Sequence, residues 1–202
     1  MRFSRTAARL MPILLARYCD GREPDFVVGH DNPDGPYLLR WYVTPWRGWY
    51  RDVAPEQRTR WQRFAVRISR LLPNLYVHRF LRDDDDRALH DHPSWAVSFM
   101  LRGSYIEHTI AYGGIHHRRQ YDRGTLRFLR TFHTHRIELL KDAVWDWHHQ
   151  MVVRKPIPCW SLFLFGPTVR EWGFHCPERG WVPWQEFTAA DKPGEVGKGC
   201  GA

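Results

Sequence analysis

Cysteine is scarce in this chain of 202 residues: Cys19, Cys159, Cys176 and Cys200 lie far apart and form no Cys-x-x-Cys. That spacing argues against a disulfide framework and predicts four reduced thiols in a cytosolic compartment. Long apolar runs are missing as well. No stretch approaches the roughly 20 apolar residues needed to span a bilayer, so no membrane partner is expected. The segment Leu10–Ala16 follows Arg2, Arg5 and Arg9 in the manner of a signal peptide, but Pro12 breaks it and Arg17 ends it. An N-terminal helix or arm is the expectation there. Several catalytic signatures are absent too. There is no Gly-x-Ser-x-Gly elbow, no phosphate-binding Gly loop and no His-Glu-x-x-His. These absences argue against serine hydrolases, P-loop NTPases and zincin proteases. No internal repeat is visible.

Aromatic residues, by contrast, are plentiful: 15% of the chain, with 11 Trp. That composition and length fit one packed globular domain and exclude a disordered chain. The formal net charge of +8 is carried largely by scattered Arg. It favours an anionic partner, without the clustered stripe that marks a nucleic-acid surface.

The pattern along the chain divides it into three parts. Residues 1–72 read as an extension, with a turn over Asp31–Pro36, a strand over Tyr37–Thr44 and a helix over about 55–72. Pro55 suits the first helical position, and Trp61, Phe64, Ala65, Ile68, Leu71 and Leu72 recur at helical spacing. Arg58, Arg60, Arg63, Arg67 and Arg70 border that stripe, predicting a helix packed by its apolar face with a solvated Arg face. Residues 73–187 read as a barrel of short strands, at 75–81, 96–101, 105–110, 125–130, 136–140, 151–154, 160–165 and 169–174. Gly103 and Gly113-Gly114 mark turns. Residues 188–202, rich in Ala, Lys, Pro and Gly, read as a disordered tail.

The chemistry concentrates at His90-x-His92 and at His135, 43 residues further on. Histidines at i and i+2 on a strand share a face, and a third from another strand closes a triangle for a divalent metal. Three protein ligands leave coordination positions open for substrate. His133 shares a face with His135 and is the reserve candidate.

The order and spacing resemble the two halves of the cupin signature: His90, His92 and Gly103 fit the first, Gly124 and His135 the second. The signature's carboxylate is missing, because Val97 stands in its place. The resemblance covers about residues 75–175 and extends to phage and prophage cupin-like proteins. These carry runs similar to Asn74–Phe80, Arg87–Pro93 and Trp172–Pro177. It implies a mainly β fold, a cupin-type double-stranded β-helix (jelly roll) with an N-terminal helical and strand extension. It also implies a metal site, and a homodimer formed by strand exchange, without implying a particular reaction.

With three neutral imidazoles the ion keeps its full charge, which favours a small anionic substrate. If a tight turn at Arg102-Gly103 joins two paired strands, Glu107 falls opposite Ser98, placed as fourth ligand, general base or partner to a ligand His. Tyr105 shares its face and is the candidate phenolic donor. Arg79, Arg87, Arg136 and Arg170 flank the metal strands and are the candidate anion clamps. Asp83–Asp86 read as a loop whose Asp orients a ligand His, and Asp91 as a loop buttress pointing away from the metal.

The leading expectation is a cytoplasmic metal-dependent enzyme, of dioxygenase or isomerase/lyase type, using Fe, Mn, Ni or Zn. One alternative is a non-catalytic module for a nucleotide, sugar or metabolite. Another is a phage structural or nucleic-acid-associated protein using the Arg-rich helix.

Overall fold

The computed structural model describes residues 13, 17–50, 52–84, 88–189 and 196–201. Most of the predicted N-terminal arm, Arg87, and Asp85 and Asp86 fall outside them.

Alternation of polar and apolar residues builds a jelly roll of two layers. The first is a six-stranded sheet in the order β1 (Phe26–Val28), β2 (Leu38–Tyr42), β3 (Asn74–Phe80), β12 (Cys159–Phe165), β5 (Ala96–Arg102), β8 (Leu126–Leu129). The second comprises two three-stranded sheets. One runs β14 (Gly180–Pro183), β13 (Gly173–Cys176), β4 (Leu89–His90), and the other β7 (Ile115–Asp122), β6 (Ser104–Ala111), β9 (Arg136–Leu139). A single antiparallel bridge between His90 and His135 joins these halves, the two residues exchanging N–H···O bonds of 2.9 and 3.0 Å. β10 (Lys141–Asp146) and β11 (Met151–Pro156) form a separate hairpin.

Between the layers, Leu38, Phe80, Met100 and Cys159 of the first meet Tyr105, Ile137 and Leu139 of the second. The outer face of the first sheet is also covered, with Trp41, Val77, Phe99 and Leu101 packing on Cys19. Burial on both faces explains the near-continuous apolar runs in β5 and β12.

Several expectations change. The boundary at residue 72 does not separate an extension from the barrel, because β1 and β2 extend the barrel's own sheet through β3. β5 and β6 are not a paired hairpin. At Gly103, whose φ is +74° and whose missing Cβ would sit 2.9 Å from that of Cys159, the chain turns from one layer into the other. That position requires glycine.

The strand expected at 169–174 starts at Gly173, and β7 was missed because its His-His-Arg-Arg-Gln run lies exposed on both faces. Helix α1 (Arg60–Leu71) starts after Thr59, whose hydroxyl and Gln62 form a capping box; Pro55 opens a separate 3₁₀ turn. Only part of the apolar stripe of α1 is buried. Ala65 and Ser69 are buried, while Trp61, Phe64 and Leu71 stand exposed, with Trp61 beside Trp49.

The tail also departs from expectation. Gly197 and Gly199 donate to the carbonyl of Phe187, Val196 bridges to Thr188, and Cys200 forms a disulfide with Cys176. Four reduced thiols and a wholly unstructured tail are therefore both corrected. The pairing of Val196, Gly197 and Gly199 with the end of α2 (Trp184–Phe187) and Thr188 brings two cysteines 24 residues apart to a Cα separation of 5.3 Å, which spacing alone does not reveal. Cys19 and Cys159 remain buried thiols. Among the described residues, no helix is long and apolar enough to cross a membrane.

Candidate metal centre

The bridge that joins the two halves of the second layer also assembles the histidines. His90 ends β4, His92 follows two residues later, and His135 precedes β9. Their ring centroids lie 5.4 Å (His90 to His92), 4.8 Å (His90 to His135) and 5.0 Å (His92 to His135) apart. One nitrogen from each falls in a group spanning no more than 4.8 Å, and Nε2 of His92 stands 2.8 Å from Nε2 of His135. Nitrogens on a tetrahedral zinc ion, with bonds of about 2.0–2.1 Å, lie slightly further apart than that pair, so small ring movements suffice.

Burial holds two of these rings neutral. It pushes the His90 pKa down to about 4, and that of His92 falls well below its ordinary value for the same reason, helped by the neighbouring His135. Neutral imidazole is the metal-binding form.

Two of the three rings face a carboxylate. Oδ2 of Asp84 stands 3.8 Å from Nδ1 of His90, and Oε1 of Glu107 stands 2.6 Å from Nδ1 of His135. Asp84 is fixed in turn, accepting the Ile137 N–H at 2.9 Å, while Asp83 accepts that of Leu139 at 2.8 Å. The predicted role of an aspartate orienting a ligand histidine thus falls to Asp84.

Glu107 is 3% exposed and receives Nη2 of Arg127 at 2.7 and 2.6 Å, with Nε2 of His133 at 3.1 Å. Although burial opposes ionisation, the His133 and His135 hydrogen bonds and the Arg127 charge hold its pKa far below the carboxylate range. Nη1 of Arg127 also donates to the Tyr105 hydroxyl at 2.8 Å, and burial pushes that phenol up to about 12.

Glu107, His133 and His135 form a second cluster of possible ligands. The Arg127 guanidinium already neutralises that carboxylate and would repel a cation, so His90, His92 and His135 are the better set.

These histidines line a cavity of about 420 Å³ between the layers, walled largely by aromatic side chains including Phe163, Phe165, Trp172 and Phe174. Glu107 and Tyr105, expected at the reacting centre, do not line it. They stand behind His135, and Asp84 is the carboxylate on the cavity wall. Val97 faces the far side of its sheet, opposite Phe128 and Leu164.

None of the described candidate arginines lines the cavity. Arg79 points to the outer face, its guanidinium over Trp160 at 5.2 Å. Arg136 shares the opposite face of β9 with His108. Arg170 pairs with Asp91 at 2.9 Å. Asp91, 1% exposed, also receives the Gly173 N–H and the Trp181 indole N–H, buttressing the loop between the two ligand histidines as expected.

Instead, Arg40 and Arg47 line the cavity, alongside Asn74, Tyr76 and His78. The signal was legible in β3, where Asn74, Tyr76 and His78 alternate with Leu75, Val77 and Arg79 and so share one face.

No family model matches this sequence, and no curated protein is similar to it. Solved structures are similar in fold. One is an oxalate oxidase (12% identity, TM-score 0.36, covering 60% of this chain and 51% of that one). Another is an oxalate decarboxylase (11%, 0.41, covering 76% and 30%). A third is an uncharacterised protein with a double-stranded β-helix domain from Klebsiella pneumoniae (13%, 0.35, covering 52% and 70%). The chain thus spans 51% of the first and 30% of the second, and these likenesses concern fold and not residue roles.

Proposed function

We propose that this chain is a metal-dependent enzyme of the cupin kind that acts on a small anionic molecule held in the cavity. The observation that carries the reading is the convergence of His90, His92 and His135 on one wall of that cavity, with Glu107 and Asp84 behind two of the three rings. Carboxylates facing Nδ1 of His90 and of His135 leave Nε2 of each ring for an ion, the arrangement that fixes tautomer and orientation in metal sites. A divalent ion there would supply Lewis acidity, and Fe would add oxygen chemistry where Zn or Ni favours redox-neutral steps.

The protein's own groups do the rest. Asp84 is the carboxylate beside the reacting space and the candidate to hold a proton during turnover. Arg127 keeps Glu107 ionised, so that Glu107 accepts from His135 throughout. The aromatic walls exclude water, which strengthens every charge interaction inside.

Elemental mass spectrometry of untagged protein tests this reading, with His90→Ala, His92→Ala, His135→Ala and, as control, His133→Ala. Near-stoichiometric metal that is lost in the first three and kept in the fourth supports it. A wild-type protein that takes up none of Fe, Mn, Ni or Zn overturns it.

A further inference from the structure

The cavity has a second polar end, built on β2 and β3. Their register sets Arg40 opposite His78 and Tyr42 opposite Tyr76. Arg40 donates its Nε–H to Nε2 of His78 at 2.9 Å, and its guanidinium lies 5.0 Å from the centre of the Tyr76 ring. Arg47, from the 3₁₀ turn Trp46–Trp49, lies 5.6 Å from the same ring. Two cations therefore share one aromatic neighbour. Among the described residues no carboxylate forms an ion pair with either; tyrosines surround both, Tyr42 shares a hydrogen bond with Arg47, and Arg40 also faces His78 and Arg47.

The neighbouring polar atoms are equally short of partners. Nε of Arg47, Oδ1 of Asn74, the Tyr76 hydroxyl and Nδ1 of His78 are buried with none. Because Nε2 of His78 accepts from Arg40, Nδ1 carries the proton of the neutral ring and is a donor without an acceptor. Asn74, Tyr76 and His78 are 4%, 1% and 3% exposed, so solvent does not serve them. Unpaired buried polar groups and buried unpaired charges are costly, and so many on one patch mark a place where something else binds.

We propose that Arg40 and Arg47, with Tyr76 and His78, form a carboxylate-binding subsite for an organic acid whose aromatic body lies between them and the histidines. The donors and two positive charges ask for an anion. The apolar walls, Phe26 and Phe165 among them, ask for an apolar body rather than a fully hydrated polyanion. The two ends lie close, because one ring, Phe163, stands 5.2 Å from His78 and 6.1 Å from His92. Such an acid reaches the histidines with its far end while its carboxylate remains at the arginines. The inference deepens the enzyme reading above and rests on it only for the ion at that far end.

Calorimetric titration of the full chain with phenylacetate, and with phenylacetamide as its neutral isostere, tests the subsite. Metal content is measured on the same samples. Phenylacetate should bind wild-type protein and His92→Ala, and the amide should not. Arg40→Met and Arg47→Met should each weaken phenylacetate at least about tenfold, the loss expected for one charge-assisted hydrogen bond; Arg47→Lys should keep part of the affinity. Without additive, Arg47→Met should melt at or above the wild-type temperature, because it removes a half-buried cation that no described carboxylate pairs with, whereas Arg40→Met also takes a donor from His78.

Failure of phenylacetate to bind, equal binding of the amide, or an Arg47→Met variant that melts lower and binds normally would each overturn the proposal. Metal loss in His92→Ala with phenylacetate binding intact supports the subsite. Absence of metal from the wild type, with phenylacetate still bound, would sink the enzyme reading and leave the subsite standing.

Discussion

The two ends of the cavity treat their polar groups in opposite ways. At the histidine end, partners succeed one another: His135 rests on Glu107, Glu107 on Arg127, and Arg127 on Tyr105. Asp91 pairs with Arg170 and accepts from Gly173. At the arginine end, Arg47, Asn74, Tyr76 and His78 keep buried polar atoms with no partner. A satisfied network stiffens a site and fixes its geometry, whereas an unsatisfied one stores free energy that binding releases. The difference is between an end whose geometry is already fixed and an end that, on the reading proposed above, waits for an anion.

Mutations at the two ends should therefore change stability with opposite signs. The largest effect belongs to His92→Ala or His135→Ala, which should abolish metal uptake while leaving a folded chain, checked by metal content and circular dichroism. Glu107→Gln comes next. It leaves Arg127 buried against a neutral partner and should cost about 3 kcal/mol in denaturant unfolding, with a drop of about ten- to a hundredfold in metal affinity. Cys200→Ser opens the bond to Cys176 and should cost about 2–3 kcal/mol, a loss that reductant reproduces in the wild type but not in the variant. Arg47→Met should move the other way, gaining on the order of 1 kcal/mol, since it replaces a half-buried cation that no described carboxylate pairs with by an apolar side chain of similar length.

The smallest effect is graded with pH. Burial lowers the folded pKa of His90 from 6.5 to about 4, and those of His92 and His78 also fall, so the unfolded chain takes up protons first. For His90, stability of the metal-free protein is full above pH 6.5 and is lost between pH 6.5 and about 4; the other two add in the same direction. Melting temperatures measured across that range check the sign, and bound metal should flatten the curve.

The cluster of His90, His92 and His135 was legible from their spacing and the two-part signature, although His92 lies beyond the end of β4 and the bridge between His90 and His135 brings the halves together. Helix α1 was legible in position but not in orientation. Of its stripe of Trp61, Phe64, Ala65, Ile68, Leu71 and Leu72, Ala65 packs together with Ser69, while Trp61, Phe64 and Leu71 stay exposed. The anion clamp was misread for a similar reason. Arginines close in sequence to the histidines, Arg79 and Arg136, point to the opposite faces of their strands, while Arg40 reaches the cavity from a strand paired with β3. Glu107 was expected opposite Ser98 through a β5–β6 hairpin; instead it meets His135, just before β9, and Arg127 across the sandwich.

By itself, the sequence determined a strand-rich domain and a turn at Gly103, consequences of local periodicity and backbone freedom, while the resemblance to the cupin signature pointed to the jelly roll and to the three histidines. Only the tertiary structure decided which carboxylates stand behind which ring, that Cys176 meets Cys200, and that two arginines from the first 50 residues line the cavity with no carboxylate partner among the described residues. Those facts depend on which strands become neighbours, and strand order is set by the packing of two whole layers and not by any stretch of chain.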